Sequence, residues 1–126
     1  MLSRAEARKL LGQSGEDAAA RLLQAKGLGI IARNWRKGSL ELDLVCRDGG
    51  TLVFVEVRTR RAGGMLTPAE SLTPAKRRSF ERAARAYLQA NDLWDSPCRF
   101  DLVCAEARSA NPPFDLQLEH FITVDL

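Results

Sequence analysis

Residues 41–60 have the pattern of a β-hairpin, and this pattern constrains the fold more than any other stretch of the chain. Two runs rich in Val, Leu and Phe flank the sequence Arg-Asp-Gly-Gly at residues 47–50. Asp-Gly-Gly favours the positive φ angles that a tight turn between antiparallel strands requires. The segment is therefore predicted to form two antiparallel strands joined by a tight turn.

Carboxylates stand within both predicted strands of this hairpin. Because successive side chains alternate between the two faces of a strand, Glu41, Asp43 and Val45 should share one face. On the second strand, Glu56 and Arg58 share a face in the same way. Burying a carboxylate among apolar residues costs free energy unless the group is paired, hydrogen-bonded or bound to a cation. We therefore expect a partner or a cation beside these acids.

The composition predicts one domain that spans residues 1–126. Of the 126 residues, 45% are hydrophobic and 28% are charged, which is enough to bury a core. No apolar run reaches membrane-spanning length and no secretory segment is visible at the N-terminus, so we expect a cytoplasmic protein without membrane contact. Cys46 and Cys104 lie in strand-like runs, which favours buried thiols over disulfides or zinc ligands. The single histidine argues against a histidine-rich metal site.

Positive charge is concentrated in the middle of the chain. Residues 58–85 contain eight basic and two acidic residues, a net charge of +6, whereas the whole chain carries +3. A basic block next to a group of carboxylates suits a polyanion whose reaction requires a divalent cation. The alternative is a solvated helix face without a binding role.

The first predicted helix precedes the hairpin. Ser3 and Glu6 have the spacing of a capping box, and the Ala- and Leu-rich stretch after them is helical as far as Gly27. Two glycines interrupt this stretch, so a start near Ser14 is the alternative. Glu16 shares a helical stripe with Ala19, and these small neighbours would let its carboxylate approach the sheet; a solvated glutamate is the competing interpretation.

The second predicted helix spans residues 73–90, where Thr73 and Pro74 supply an N-cap and a first-turn proline. An apolar stripe that includes Phe80 and Tyr87 should face the sheet. Lys76 falls on this stripe, so its ammonium could reach a site beside the sheet. In the alternative interpretation, its stem covers apolar surface and its ammonium points to water.

The remaining patterns complete an α/β domain in the order α-β-β-β-α-β-β. Further strands are predicted at residues 29–35, 99–105 and 116–124, and a loop at residues 62–72. Asp101, within the fourth strand, is expected to form a structural hydrogen bond or ion pair.

The ordered set of these segments resembles a known family. GEDAAARLLQAKG, RNWR, ELDLV, LVFVEVRTR, TPAKRR and RFDLV follow one another as in the YraN-like family of uncharacterised bacterial proteins, uncharacterised protein family 0102. The acidic pattern is similar to the core of the PD-(D/E)xK nucleases, the restriction-endonuclease-like and Holliday-junction-resolvase-like group. The resemblance implies a restriction-endonuclease-like fold, with a mixed sheet of about five strands flanked by helices. For resolvases it also admits a symmetric homodimer, although no stripe of the sequence indicates an interface.

The resemblance implies a metal-dependent nuclease mechanism acting on nucleic acid, with DNA as the expected polymer. The ligands of Mg²⁺ or Mn²⁺ would be Asp43, Glu56 and the carbonyl of Val57, with Glu16 contributing through water. The catalytic residues would be Asp43, Glu56, Arg58 and Lys76, the two cations acting on the scissile phosphate. The predicted contacts with the nucleic-acid backbone are Arg60, Arg61, Arg77, Arg78, Arg82 and Arg85.

Two positions depart from the related motifs. Leu40 stands where the family commonly has glycine, and Arg58 stands where the nuclease motif has lysine. Arginine stays protonated, so it cannot act as a general base, although it can bind a phosphate.

Three functions from different classes therefore stay open. The first is a metal-dependent nuclease, and the second is a catalytically inactive nucleic-acid-binding module of nuclease ancestry. The third is a structural or adaptor protein in which Asp43, Glu56 and Arg58 form an ion-pair network.

Overall fold

A computed structural model of the chain describes residues 1–63, 67, 70 and 72–122. Helices and strands follow one another in the predicted order. Their bounds are α1 (Arg4–Ala25), β1 (Gly29–Lys37), β2 (Leu40–Asp48), β3 (Thr51–Arg61), α2 (Pro74–Ala90), β4 (Cys98–Ala107) and β5 (Leu116–Phe121).

The strands form one mixed five-stranded sheet in the order β1-β2-β3-β4-β5. β1, β2 and β3 are antiparallel neighbours, β3 and β4 are parallel, and β4 and β5 are antiparallel. α2 lies in the connection between the two parallel strands, as parallel neighbours require a crossover. The predicted α/β class, strand number and element order are confirmed.

α1 begins at Arg4, so the alternative start near Ser14 is wrong. The Ser3 hydroxyl accepts a hydrogen bond from the Glu6 N–H (3.1 Å), and the Glu6 carboxylate accepts one from the Ser3 N–H (3.2 Å). This capping box satisfies N–H groups that the first helical turn leaves without partners. This capping box favours a helix that begins at Arg4 despite the two interior glycines.

A separate apolar cluster covers each face of the sheet. On one face, α1 buries its predicted stripe against β2, β3 and β4. This cluster includes Ala19, Ala20, Leu23, Leu44, Val53, Val55 and Val103. On the other face, α2 does the same with Phe80, Ala83, Ala84 and Tyr87, which pack against Leu42, Val45, Leu52 and Phe54.

The hairpin forms as predicted, but its strands pair over only part of their length. Gly49 has a φ angle of 58°, the conformation that the turn sequence favours. The ladder between β2 and β3 runs from the turn to the pair Leu44–Val55 and ends there. Leu42 and Val45, three residues apart, both pack against α2, so the strict alternation predicted for β2 is interrupted between them. The strands diverge at Asp43.

Several predicted segments extend differently along the chain. β5 ends at Phe121, whereas the sequence predicts a strand to residue 124; residues 123–126 lie outside the described residues. The predicted loop at residues 62–72 also lies partly outside them. Cys46 and Cys104 are buried free thiols, as predicted. Within the described ranges, no helix has the length and apolar character needed to cross a membrane.

Candidate functional site

The side chain of Asp43 occupies the place where β2 and β3 separate. Its Oδ2 atom accepts a hydrogen bond of 2.8 Å from the backbone N–H of Val57. The β2–β3 ladder ends at Val55, two residues before this point. A carboxylate therefore takes the place of a backbone carbonyl as the acceptor, and this contact orients the Asp43 side chain.

Glu56 lies next to Asp43 and is largely buried. Its side chain, 21% exposed, lies beside the Asp43 carboxyl group, and its Oε1 lies 3.7 Å from Nη1 of Arg58. The pKa of Glu56 is raised from 4.5 to about 8. The largest cause is burial, which disfavours the charged carboxylate, and the next is the negative charge of Asp43; Arg58 and Lys76 oppose the rise.

The pKa of Asp43 is raised as well. Burial is again the largest cause, and the negative charge of Glu16 adds to it. The hydrogen bond from Val57 acts in the opposite direction, since it stabilises the charged form. Two carboxyl groups in contact and away from water repel each other when both are ionised, so the pair favours a shared proton or a bound cation.

Glu16 is held by residues of β1. Its Oε1 accepts a hydrogen bond from Nδ2 of Asn34 (2.7 Å) and lies 3.3 Å from Nη2 of Arg33. The same guanidinium reaches Asp17 at 2.6 Å. Sequence reasoning missed these two partners of Glu16, although RNWR, which contains them, was among the segments that carry the family resemblance.

The acids open into two clefts on opposite sides of the sheet. On the α1 side, a cleft of about 660 Å³ is lined by Glu16, Asn34 and Asp43 among others. On the α2 side, a cleft of about 340 Å³ is lined by Glu41, Glu56, Arg58, Lys76 and Phe80 among others. The structure thus brings Asp43 and Glu56 together, and it brings Arg58 and Lys76 to Glu56.

The predicted set of three acids is not gathered into one cluster. Within the described part of the chain, no group of three or more His, Cys, Asp and Glu side chains could hold a metal ion. Glu16 shares a cleft with Asp43, but its carboxylate is directed to β1. Any cation beside Asp43 would therefore depend mainly on the Asp43–Glu56 pair.

The predicted nucleic-acid contacts are dispersed. Arg60 pairs with Glu106 on β4 (3.2 Å), Arg85 pairs with Glu81 (2.8 Å), and Nε of Arg77 donates to the Leu72 carbonyl (3.0 Å). The remaining predicted contacts, Arg61, Arg78 and Arg82, are exposed. None of these six residues lines either cleft beside the acidic pair.

A second polar group lies under the C-terminal end of α1. Asp101 is fully buried and accepts hydrogen bonds from Arg99 (3.2 Å) and from Nε2 of His120 (2.8 Å). Nζ of Lys26 lies 2.9 Å from Nδ1 of His120. Because an ammonium only donates, Nδ1 accepts and Nε2 carries the proton. Asp101 therefore forms the structural hydrogen bond and ion pair that its position predicts.

These features define an α/β protein in which two helices enclose a mixed sheet and two partly buried carboxyl groups lie side by side where two of its strands diverge. The chain belongs to the uncharacterised protein family UPF0102, whose model matches residues 15–105. The matched segment contains Glu16, Asp43, Glu56, Arg58 and Lys76. The resemblance to this family is confirmed.

Bacterial relatives agree with this assignment. A UPF0102 protein of Nitratidesulfovibrio vulgaris (strain DP4) is 58% identical over 105 residues, which cover 83% of this chain and 78% of the relative. A UPF0102 protein of Lawsonia intracellularis is 50% identical over 114 residues, covering 90% of this chain and 83% of the relative. A third, from Geobacter sulfurreducens, is 43% identical over 112 residues, covering 89% and 85%.

Proposed function

We propose that this protein is a nuclease-like enzyme of restriction-endonuclease-like ancestry that hydrolyses phosphodiester bonds with Mg²⁺ or Mn²⁺ and acts on DNA. The observation that carries the proposal is the proximity of two partly buried carboxyl groups, Asp43 and Glu56, at the divergence of β2 and β3. Buried acids of the same charge are costly to hold together, and a site that retains them usually has a use for the pair.

The donor set suits a hard divalent cation. Mg²⁺ prefers oxygen ligands, is commonly bound through one or two carboxylates, and keeps several waters. Asp43 and Glu56 supply the carboxylates. Because the N–H and C=O of a strand residue point toward the same neighbouring strand, the Val57 carbonyl should also face the gap beside Asp43. When bound, the cation would activate water and offset charge on the scissile phosphate.

The protein's own residues would position and neutralise the substrate. The Val57 N–H holds the Asp43 carboxylate in one orientation. Arg58 and Lys76, on the α2 side of the pair, would bind phosphate oxygens and oppose developing negative charge. Arg58 stays protonated, so its role would be charge stabilisation and not proton transfer. Glu16, whose carboxylate is held by a hydrogen bond from Asn34, would act through a water molecule.

The contact between Arg58 and Glu56 favours a second candidate function. An arginine 3.7 Å from Glu56 can offset part of its charge without a metal ion. A site that relies on this contact needs no metal ion, and without one it would leave a bound nucleic acid intact, so the second candidate is the catalytically inactive nucleic-acid-binding module. Lysine at this place could release a proton to a reaction, whereas arginine could not.

A cleavage assay with a binding assay separates the two functions. Duplex, single-stranded, flapped and four-way DNA would be incubated with Mg²⁺, Mn²⁺ or EDTA. We expect metal-dependent cleavage of at least one substrate, which Asp43→Asn abolishes and which Asp95→Asn, a change of an exposed acid outside the site, preserves. Binding without cleavage under every condition would favour the inactive module, and cleavage that survives Asp43→Asn would contradict the proposal.

A further inference from the structure

A basic cleft lies on the α1 side of the sheet, away from the arginines that the sequence singles out on α2. It has a volume of about 520 Å³ and lies between the first two turns of α1 and the C-terminal end of β3. Its lining consists of Arg4, Ala7, Arg8, Leu11, Thr59, Arg61 and Phe114. Three of these seven residues are arginines, and no acidic residue of the described chain is among them.

This basic cleft adjoins the cleft that contains Asp43. Both are lined by Arg8, Leu11 and Thr59, so the two cavities meet at these residues. The Asp43 cleft adds Lys9 at its α1 wall. Together they form one groove, which runs from the N-terminus of α1 past Arg8 to Asp43.

Four cations of this groove are available to a ligand, whereas Arg36, which also lines it, is held in an ion pair. Within the described residues, Arg4, Arg8, Lys9 and Arg61 form no ion pair. They are also exposed. Arg4 and Arg8 are separated by about one helical turn, roughly 6 Å along the axis, and point into the same cleft. Unpaired cations along a groove that ends at a carboxylate match a phosphate backbone whose scissile bond must reach that carboxylate.

We infer that this groove binds the phosphodiester backbone of a nucleic-acid strand and leads it to Asp43, with Arg4, Arg8 and Arg61 as phosphate contacts. The inference rests on the proposed function for the direction of the path, but the binding itself requires no cleavage. Leu11 and Phe114 add apolar surface to the lining, which sugar or base groups could contact. Arg4, Arg8 and Lys9 precede the segment that the family model matches.

Binding of a fluorescent oligonucleotide in EDTA tests the groove without any reaction. The double variant Arg4→Ala and Arg8→Ala should weaken affinity about tenfold at 0.1 M salt, since a phosphate that no longer meets an arginine keeps its condensed counterions. It should also reduce the slope of log affinity against log salt by roughly 1.4 for a single strand, or about 0.7 for each phosphate. The matched control, Arg21→Ala with Arg47→Ala, removes two exposed positive charges outside the groove and should change the slope little.

Lysine substitutions separate a binding role from a folding role. Arg4→Lys with Arg8→Lys keeps both charges and should retain most of the affinity and the salt slope. If the alanine pair and the control pair have equal effects, the groove is not the binding path. Since Arg4 and Arg8 are exposed helix residues, alanine is expected to leave the fold intact.

The failure of this inference is distinguishable from the failure of the proposed function. Cleavage that persists together with unchanged binding by the Arg4→Ala, Arg8→Ala variant would overturn the groove and leave the nuclease in place. A groove-dependent salt slope without cleavage of any substrate would uphold the groove and overturn the nuclease.

Discussion

At the scale of single residues, Asp101 differs from the pair Asp43 and Glu56 in the partners of its carboxyl group. Asp101 is satisfied, because Arg99 and His120 both donate to its carboxylate. Asp43 and Glu56 are not satisfied in the same sense, since each has the other as a like-charged neighbour and the pKa of each is raised. The hydrogen bonds of Asp101 stabilise the fold. The proximity of Asp43 and Glu56 destabilises it, and a bound ligand can relieve this repulsion.

The raised pKa of Glu56 predicts that the stability of the fold depends on pH. Its pKa is about 8 in the folded protein and near 4.5 in the unfolded chain, so the folded state binds the proton more tightly. This contribution is complete below pH 4.5 and is lost as the pH rises toward 8. In EDTA, the free energy of unfolding should fall between pH 5 and 8 by on the order of 1 kcal/mol per pH unit more in the wild type than in Glu56→Gln. Parallel pH profiles from urea unfolding would contradict this expectation.

Asp101 predicts a large loss of stability when its charge is removed. Asp101→Ala leaves the guanidinium of Arg99 and the ring of His120 without their buried acceptor, at a cost of roughly 3–5 kcal/mol. Arg99 keeps its second partner, Asp48, at 2.7 Å, which limits the loss. Urea unfolding would measure the change, with the exposed Asp95→Ala as the control expected within about 0.5 kcal/mol. A loss below about 1 kcal/mol would show that the network is not structural.

At the scale of elements, the approach of α1 to β3 depends on one glycine. A Cβ atom at Gly15 would collide with the side chain of Thr59, because the helix packs against the strand at this point. The same contact places Glu16, the next residue, at the rim of the cleft that contains Asp43. The packing of α1 and the position of the acid are therefore set together.

Two glycines of α1 form a matched pair for a test of this packing. Gly15→Ala should destabilise the protein by roughly 1–3 kcal/mol, since the methyl group forces α1 away from β3. A Cβ atom at Gly12 would have no other atom within 4 Å, so Gly12→Ala should stabilise the protein by up to about 1 kcal/mol through helix propensity. Thermal and urea unfolding of both variants would measure the difference, and Thr59→Ala should recover part of the loss in Gly15→Ala. Equal effects of the two alanines would contradict the close approach.

At the scale of the whole molecule, α1 and α2 pack on opposite faces of the sheet, and each of the two clefts reaches one member of the acidic pair. Asp43 opens toward α1 and Glu56 toward α2, so a ligand at the pair would contact residues from both layers. Binding at such a place should couple to the global stability of the fold, because the pair assembles only when both strands are in place.

Metal binding should therefore raise the melting temperature in a pH-dependent way. A cation competes with the proton that Glu56 holds below its raised pKa, so Mn²⁺ or Mg²⁺ at millimolar concentration should raise Tm more at pH 8 than at pH 5.5. Asp43→Asn should abolish the rise, and Asp95→Asn should preserve it. Differential scanning fluorimetry would measure the shifts. A rise of the same size in Asp43→Asn would assign the metal to another place.

Much of the architecture could be predicted from local patterns. The hairpin, the capping box at Ser3 and the stripe of α2 depend on neighbours in sequence, and the structure has all three. The alternative helix start near Ser14 was wrong because the cap at Ser3 and the burial of Ala7 and Leu11 both favour the helix before the two glycines. The alternation of β2 side chains between the two faces of the sheet is interrupted where β2 diverges from β3. No local sequence pattern indicates this divergence.

Local sequence was enough to pick out the residues that could carry chemistry, namely acids inside apolar strands and cations beside them. Their grouping depends on the folded chain: Asp43 and Glu56 lie side by side, Arg33 and Asn34 hold Glu16, and the groove cations come from the start of α1 and the end of β3. The physical reason is that hydrogen bonds and charges act over a few ångströms, whereas these groups are brought within that range by packing between distant elements.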